Sequence, residues 1–134
     1  MKGIFPISWK PPPFHHFELN FDGTPKGKPE EARIGGAIRN HSWEILRIYR
    51  EYIGYDKNNV VELEGLIEGI TITKRRHFFP LIVEGDSQII IKIAQGILNG
   101  SPTSRHSISW RLEYRIHQLA DLISHWGAII FSHT

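Results

Sequence analysis

Cysteine is absent from all 134 residues. That excludes disulfides and every thiolate metal site, zinc ribbons included, and mildly favours a reducing compartment. Long apolar stretches are missing too. No run approaches the roughly 20 residues a membrane-spanning helix needs, and the N-terminus lacks the charged-then-apolar order of a secretion signal. Nor does one sign of charge dominate: 16 Lys and Arg against 14 Asp and Glu leave a formal +2. Such a balance suits a polyanionic partner without demanding one. The expectation is a soluble, intracellular monomer with no membrane partner, in the nucleus or the cytoplasm.

What is present is globular. Apolar residues make up 40% and aromatics 11%, and the length suits one domain with a substantial core. The single tight basic cluster, Lys74-Arg75-Arg76-His77, falls where a helix should end, and cations are favourable at that end of a helix dipole. That reading is preferred to a nucleic-acid patch.

Residues 1–13, with Trp9-Lys10-Pro11-Pro12-Pro13, suit neither a central strand nor a helix interior and read as an extended arm ahead of a domain over 14–134. Phe17, Leu19 and Phe21 alternate with polar residues, the period of a half-buried strand ending at Asp22-Gly23. Ile34 to Arg39 reads as a second strand. A turn at Asn40-His41-Ser42 leads to a third, Trp43 to Ile53, which closes an antiparallel meander. From Asn59 the period becomes helical, with Leu63, Leu66, Ile67 and Ile70 on one face and Asn58 or Asn59 as the N-cap. Phe79 to Val83 is a continuous apolar run, fit for a strand covered on both faces.

Asp86 or Ser87 can cap the next helix, whose buried face is Ile90, Ile93, Ala94 and Ile97. After the stop at Asn99-Gly100-Ser101-Pro102, a longer helix is expected over Thr103 to His125. Its stripe is Ile108, Leu112, Ile116, Leu119 and Ile123, and Gly127 breaks it. Ala128 to Phe131 is the fifth strand. Three strands, helix, strand, helices and strand predict an α/β domain with a mixed sheet.

Three acidic motifs stand at element boundaries: Asn20-Phe21-Asp22-Gly23, Asn58-Asn59-Val60-Val61-Glu62-Leu63 and Glu84-Gly85-Asp86-Ser87-Gln88. Three carboxylates brought together repel one another unless a divalent cation neutralises them, and a hard cation wants oxygen ligands. Taken singly each acid has an ordinary explanation: Asp86 and Asn59 suit caps, and Glu62 suits the first turn of a helix. Taken in this order they favour a magnesium site.

These motifs resemble the type 1 ribonuclease H fold, most of all the plant branch whose domains are related to those of retrotransposon reverse transcriptases. The likeness runs through Trp9-Lys10-Pro11-Pro12-Pro13, Leu19 to Gly23, Ile34 to Arg39, Asn58 to Leu66, Glu84 to Gln88 and Phe131-Ser132-His133. It implies a five-stranded sheet with the first strand central, the hairpin strands antiparallel to it, and the fourth and fifth parallel to it. It also implies metal-dependent endonucleolytic hydrolysis of the RNA strand of RNA–DNA hybrids. By resemblance Asp22, Glu62 and Asp86 hold two Mg2+ ions (or Mn2+), with Asp22 bridging, and His133 assists proton transfer or product release. Gly23, Asn58, Asn59, Ser87 and Gln88 match substrate-contacting positions. Lys26 and Lys28 are candidates for phosphate contacts.

The chain departs from that pattern twice. It stops before the family's fourth acid and final helix, and Asp121 is no substitute because it precedes the fifth strand. That implies weak cleavage with binding retained, and a sheet face left partly open. Lys28 to Arg33 also replaces the usual asparagine and glycines, so Glu30 and Arg33 alter the approach of substrate there. The alternative is a non-catalytic remnant or protein-interaction module that keeps the fold.

Overall fold

The alternation of Phe17, Leu19 and Phe21 is used as expected. These residues lie in β1 (Phe17–Pro25), with Leu19 and Phe21 buried. The computed structural model describes residues 12–25, 32–54, 58–100, 110–124 and 126–133. Most of the arm, Lys26, Lys28, Glu30 and Ile108 fall outside that set.

β2 (Ala32–Asn40) and β3 (Ile45–Gly54) complete an antiparallel meander with β1. β3 starts two residues later than the pattern suggests. The Asn40 side-chain oxygen accepts from the backbone N–H groups of Ser42 and Glu44, at 2.9 and 3.0 Å, and that holds Trp43 in the turn.

Next come α1 (Asn58–Arg76), β4 (Leu81–Gly85), α2 (Gln88–Leu98), α3 (Trp110–Ile123) and β5 (Ile129–His133). The sheet order is β3-β2-β1-β4-β5, with β1 central and parallel to β4, which is parallel to β5. This is the ribonuclease H-like arrangement that the motifs implied. Leu63, Leu66, Ile67 and Ile70 of α1, Ile90 and Ala94 of α2, and Ile116, Leu119 and Ile123 of α3 join Leu19, Phe21, Leu81 and Val83 in one core.

Four expectations need correction. α1 begins at Asn58, so both asparagines lie inside its first turn rather than before it, and Glu62 falls in the second turn. β4 runs Leu81–Gly85 rather than from Phe79. Pro80 has no N–H to give a ladder; its carbonyl accepts from Phe17 N at 2.8 Å, while Phe79 packs edge-on against Trp126. β4 is also covered on one face only, since Leu81, Val83 and Gly85 are buried while Ile82 and Glu84 are half-buried. Finally, α3 ends at Ile123, four residues before the glycine expected to stop it.

The basic cluster does structural work. Lys74 Nζ donates to the Leu122 carbonyl at 2.6 Å, tying the end of α1 to the end of α3. No helix among the described residues is long and apolar enough to cross a membrane. On the face opposite the helices, Ile45, Ile48 and Ile130 are exposed.

Candidate metal centre at the end of the central strands

Asp22 lies on β1 two residues past its last pairing with β4, at Asn20, and its side chain is exposed. β4 runs parallel beside β1, so its end delivers Asp86 to the same place. The third acid comes from α1, and close packing puts it there. A Cβ added at Gly65 would lie 2.9 Å from the Asp22 carbonyl oxygen. Only a residue without a side chain lets the helix come so near. Glu62 is one turn before Gly65 and so overhangs Asp22. Carboxylate oxygens of Asp22, Glu62 and Asp86 all lie within 4.8 Å of one another.

The helix is held from behind at the same level. Tyr49 of β3 donates its hydroxyl to the Gly65 carbonyl at 2.7 Å. Arg115 of α3 forms an ion pair with Glu64, the residue before that glycine.

Electrostatics at the cluster follow from this crowding. Burial pushes the Glu62 carboxyl above the ordinary carboxylate range, and the charges of Asp86 and Asp22 push it further. A hydrogen bond with Ser87 opposes the shift. Ser87 is also the N-cap of α2, its oxygen accepting from Ile90 N at 3.4 Å. One hydroxyl thus starts a helix and orients an acid. Of the two capping candidates Ser87 fills the role, which leaves the Asp86 carboxylate with the cluster.

His133 is no frayed end. It is the last residue of β5, paired with Gly85, and its Nε2 lies 3.0 Å from the Asp86 carbonyl oxygen. Asn59 is half-buried in the first turn of α1 and Gln88 is the exposed first residue of α2. Gly23 pairs with Ile34 on β2. Asn58 opens α1.

An all-oxygen set of three carboxylates, from three separate elements, fits a hard divalent cation and offers nothing to a soft one. Arg50 and Tyr52 of β3 border the space beside Asp22 and were not singled out from the sequence. The signal was their i, i+2 spacing, which places both on one face of the strand.

Comparison with solved structures defines the class. RNase H1 from the halophilic archaeon Halobacterium salinarum superposes with a TM-score of 0.72 at 21% identity, over 89% of this chain and 85% of that one. LC11-RNase H1, isolated from compost by a metagenomic approach and solved with an RNA/DNA hybrid, gives 0.74 at 23%, over 88% and 84%. The protease–reverse transcriptase of prototype foamy virus gives 0.73 at 15%, over 94% of this chain and 18% of that one. At such identities the likeness is one of fold, and the fold is ribonuclease H-like. Residues 20–128 match the reverse transcriptase-like family, and the chain belongs to it. Among curated proteins none matches.

Proposed function

We propose that the chain is a nucleic-acid-binding domain that hydrolyses the RNA strand of RNA–DNA hybrids with a divalent metal, Mg2+ or Mn2+. One observation carries this: Asp22, Glu62 and Asp86 arrive from a strand, a helix and a strand end, and converge within 4.8 Å. The solved complex of LC11-RNase H1 with a hybrid supports the choice of substrate.

Asp22, on the central strand, Glu62 and Asp86 would hold the cation. When bound, the metal supplies Lewis-acid stabilisation of the phosphoryl oxygens and an acidified water. The remaining work falls to the chain's own groups. Ser87 holds the Glu62 carboxylate in place. His133 donates Nε2–H to the Asp86 carbonyl, which leaves Nδ1 as the nitrogen that can take up or release a proton near the leaving oxygen. Gly23, Asn58, Asn59 and Gln88 would contact the substrate. Their short polar groups and backbone suit the 2′-hydroxyls that distinguish RNA.

A second reading has one observation in its favour: the exposed Ile45 and Ile48 on edge strand β3 suit a protein-interaction module. A labelled hybrid incubated with Mg2+ or Mn2+, beside Asp22→Asn, separates the two. Cleavage lost in the variant supports the nuclease. Binding without cleavage indicates a disabled nuclease, and neither activity leaves the interaction module.

A further inference from the structure

Two arginines and a tyrosine stand beside the carboxylates on the open face of the sheet. Asp22 pairs with Gly35 and Gly35 with Arg50, so the three form one row across β1, β2 and β3. The next row is Thr24, Arg33 and Tyr52. Neighbouring strands are about 4.8 Å apart, which puts Arg50 roughly 10 Å across the sheet from Asp22. The residue between them has no side chain. A Cβ at Gly35 would stand 4.0 Å from the Arg50 Cγ and 3.3 Å from the Tyr49 carbonyl oxygen, narrowing the trough.

Two cavities meet along this row. One of about 520 Å³ has Asp22, Gly35, Arg50 and Asp86 on its wall, and the other, of about 510 Å³, has Asp22, Arg33, Arg50 and Tyr52. Glu51 and Ile34 form the far rim of the second. Arg33, Arg50 and Tyr52 are all exposed. Arg33 is held over the Tyr52 ring, 5.8 Å from its centroid, so its guanidinium loses less freedom when it takes a ligand.

A ligand that fits this layout is polyanionic, with one phosphate at the carboxylate cluster once a cation neutralises it and others about 10 Å away. At a rise of about 3.4 Å per nucleotide that span is about three nucleotides of one strand. A mononucleotide cannot reach both ends. Arginine forks match phosphate oxygens, and an exposed aromatic ring offers a stacking face.

We propose that Arg33, Arg50 and Tyr52 form a strand-guiding subsite for the phosphodiester backbone, about three nucleotides from the phosphate at Asp22, Glu62 and Asp86. This rests on the nucleic-acid reading above. The test is fluorescence anisotropy of a labelled RNA–DNA hybrid without divalent metal, titrated at several salt concentrations, with melting curves to establish folding. Arg33→Ala and Arg50→Ala should each make the slope of log K against log salt shallower by about 0.7–0.9. Arg50→Lys should restore the slope. Tyr52→Leu should weaken binding about tenfold with the slope unchanged. Arg75→Ala, at the far end of α1, is the control. Folded variants whose slopes equal that control overturn the subsite while leaving the nuclease reading intact. A wild-type chain that binds no hybrid, either without metal or with non-catalytic Ca2+ added, overturns both.

Discussion

His133 Nε2 donates to the backbone carbonyl oxygen of Asp86 across 3.0 Å, stitching the end of β5 to the end of β4 at the carboxylate cluster. An imidazole fixed in this way offers a single free nitrogen, in a defined direction. His133→Ala should lower the rate of hybrid cleavage by about 10²-fold, the usual scale of a lost proton-transfer group. KM should stay within about twofold. Steady-state kinetics check this, and an unchanged rate would remove His133 from the chemistry.

Gly65 governs how closely α1 approaches the central strand. Alanine there must displace the helix or the backbone of Asp22, because its Cβ would meet the Asp22 carbonyl oxygen at 2.9 Å. Gly65→Ala should cost about 1–3 kcal/mol of stability. Cleavage should fall even well below the melting temperature, because Glu62 moves away from its partners. Thermal melting beside an activity assay at 20 °C below the midpoint would expose a variant that stays folded and fully active.

Ser87 serves a helix and an acid together. Ser87→Ala should cost about 1 kcal/mol through the lost cap. It should also raise the Glu62 carboxyl further, because the hydroxyl is what holds it down. The acid limb of the pH–rate profile then moves to higher pH, while Ser87→Thr keeps it in place. A variant with the wild-type limb would show that the hydroxyl only caps.

Glu18 and Glu84 form a second carboxyl pair, away from the cluster on the open face. Burial pushes the Glu18 carboxyl up to about 7, helped by the charge of Glu84 and the hydrogen bond to it, against the pull of Arg39 and Asn20. The folded state therefore holds a proton that the unfolded chain releases near 4.5. That stabilisation is complete below about 4.5 and is lost as pH rises through about 7. Glu18→Gln keeps a donor toward Glu84 without the charge. It should flatten stability between these pH values and raise it at pH 8 by about 1–2 kcal/mol. Denaturant melts across pH check it, and an equally steep decline in the variant would contradict it.

Much of the fold was legible because periodicity reports burial directly. Leu19 and Phe21, the α1 stripe Leu63, Leu66, Ile67 and Ile70, and the α3 stripe Ile116, Leu119 and Ile123 are all core residues. Boundaries were less legible. Pro80 and the Asn40 turn displaced two strand starts through hydrogen bonds that no hydrophobic pattern records. Of the candidate site, the three acids were readable from their motifs. The double use of Ser87 was not, because its partner Glu62 lies 25 positions away in the chain. Arg50 and Tyr52 also escaped, since only the pairing of β2 with β3 shows that they share a trough with Asp22.

Calorimetric titration of Mg2+ or Mn2+ into the wild-type chain, and into Asp22→Asn and Glu62→Gln, reads cation sharing without any substrate. The amides keep side-chain shape and remove charge. Metal binding by the wild-type chain that weakens at least about tenfold in each variant is the expected result. Equal affinity in all three proteins, or no binding by the wild type, would contradict the metal centre.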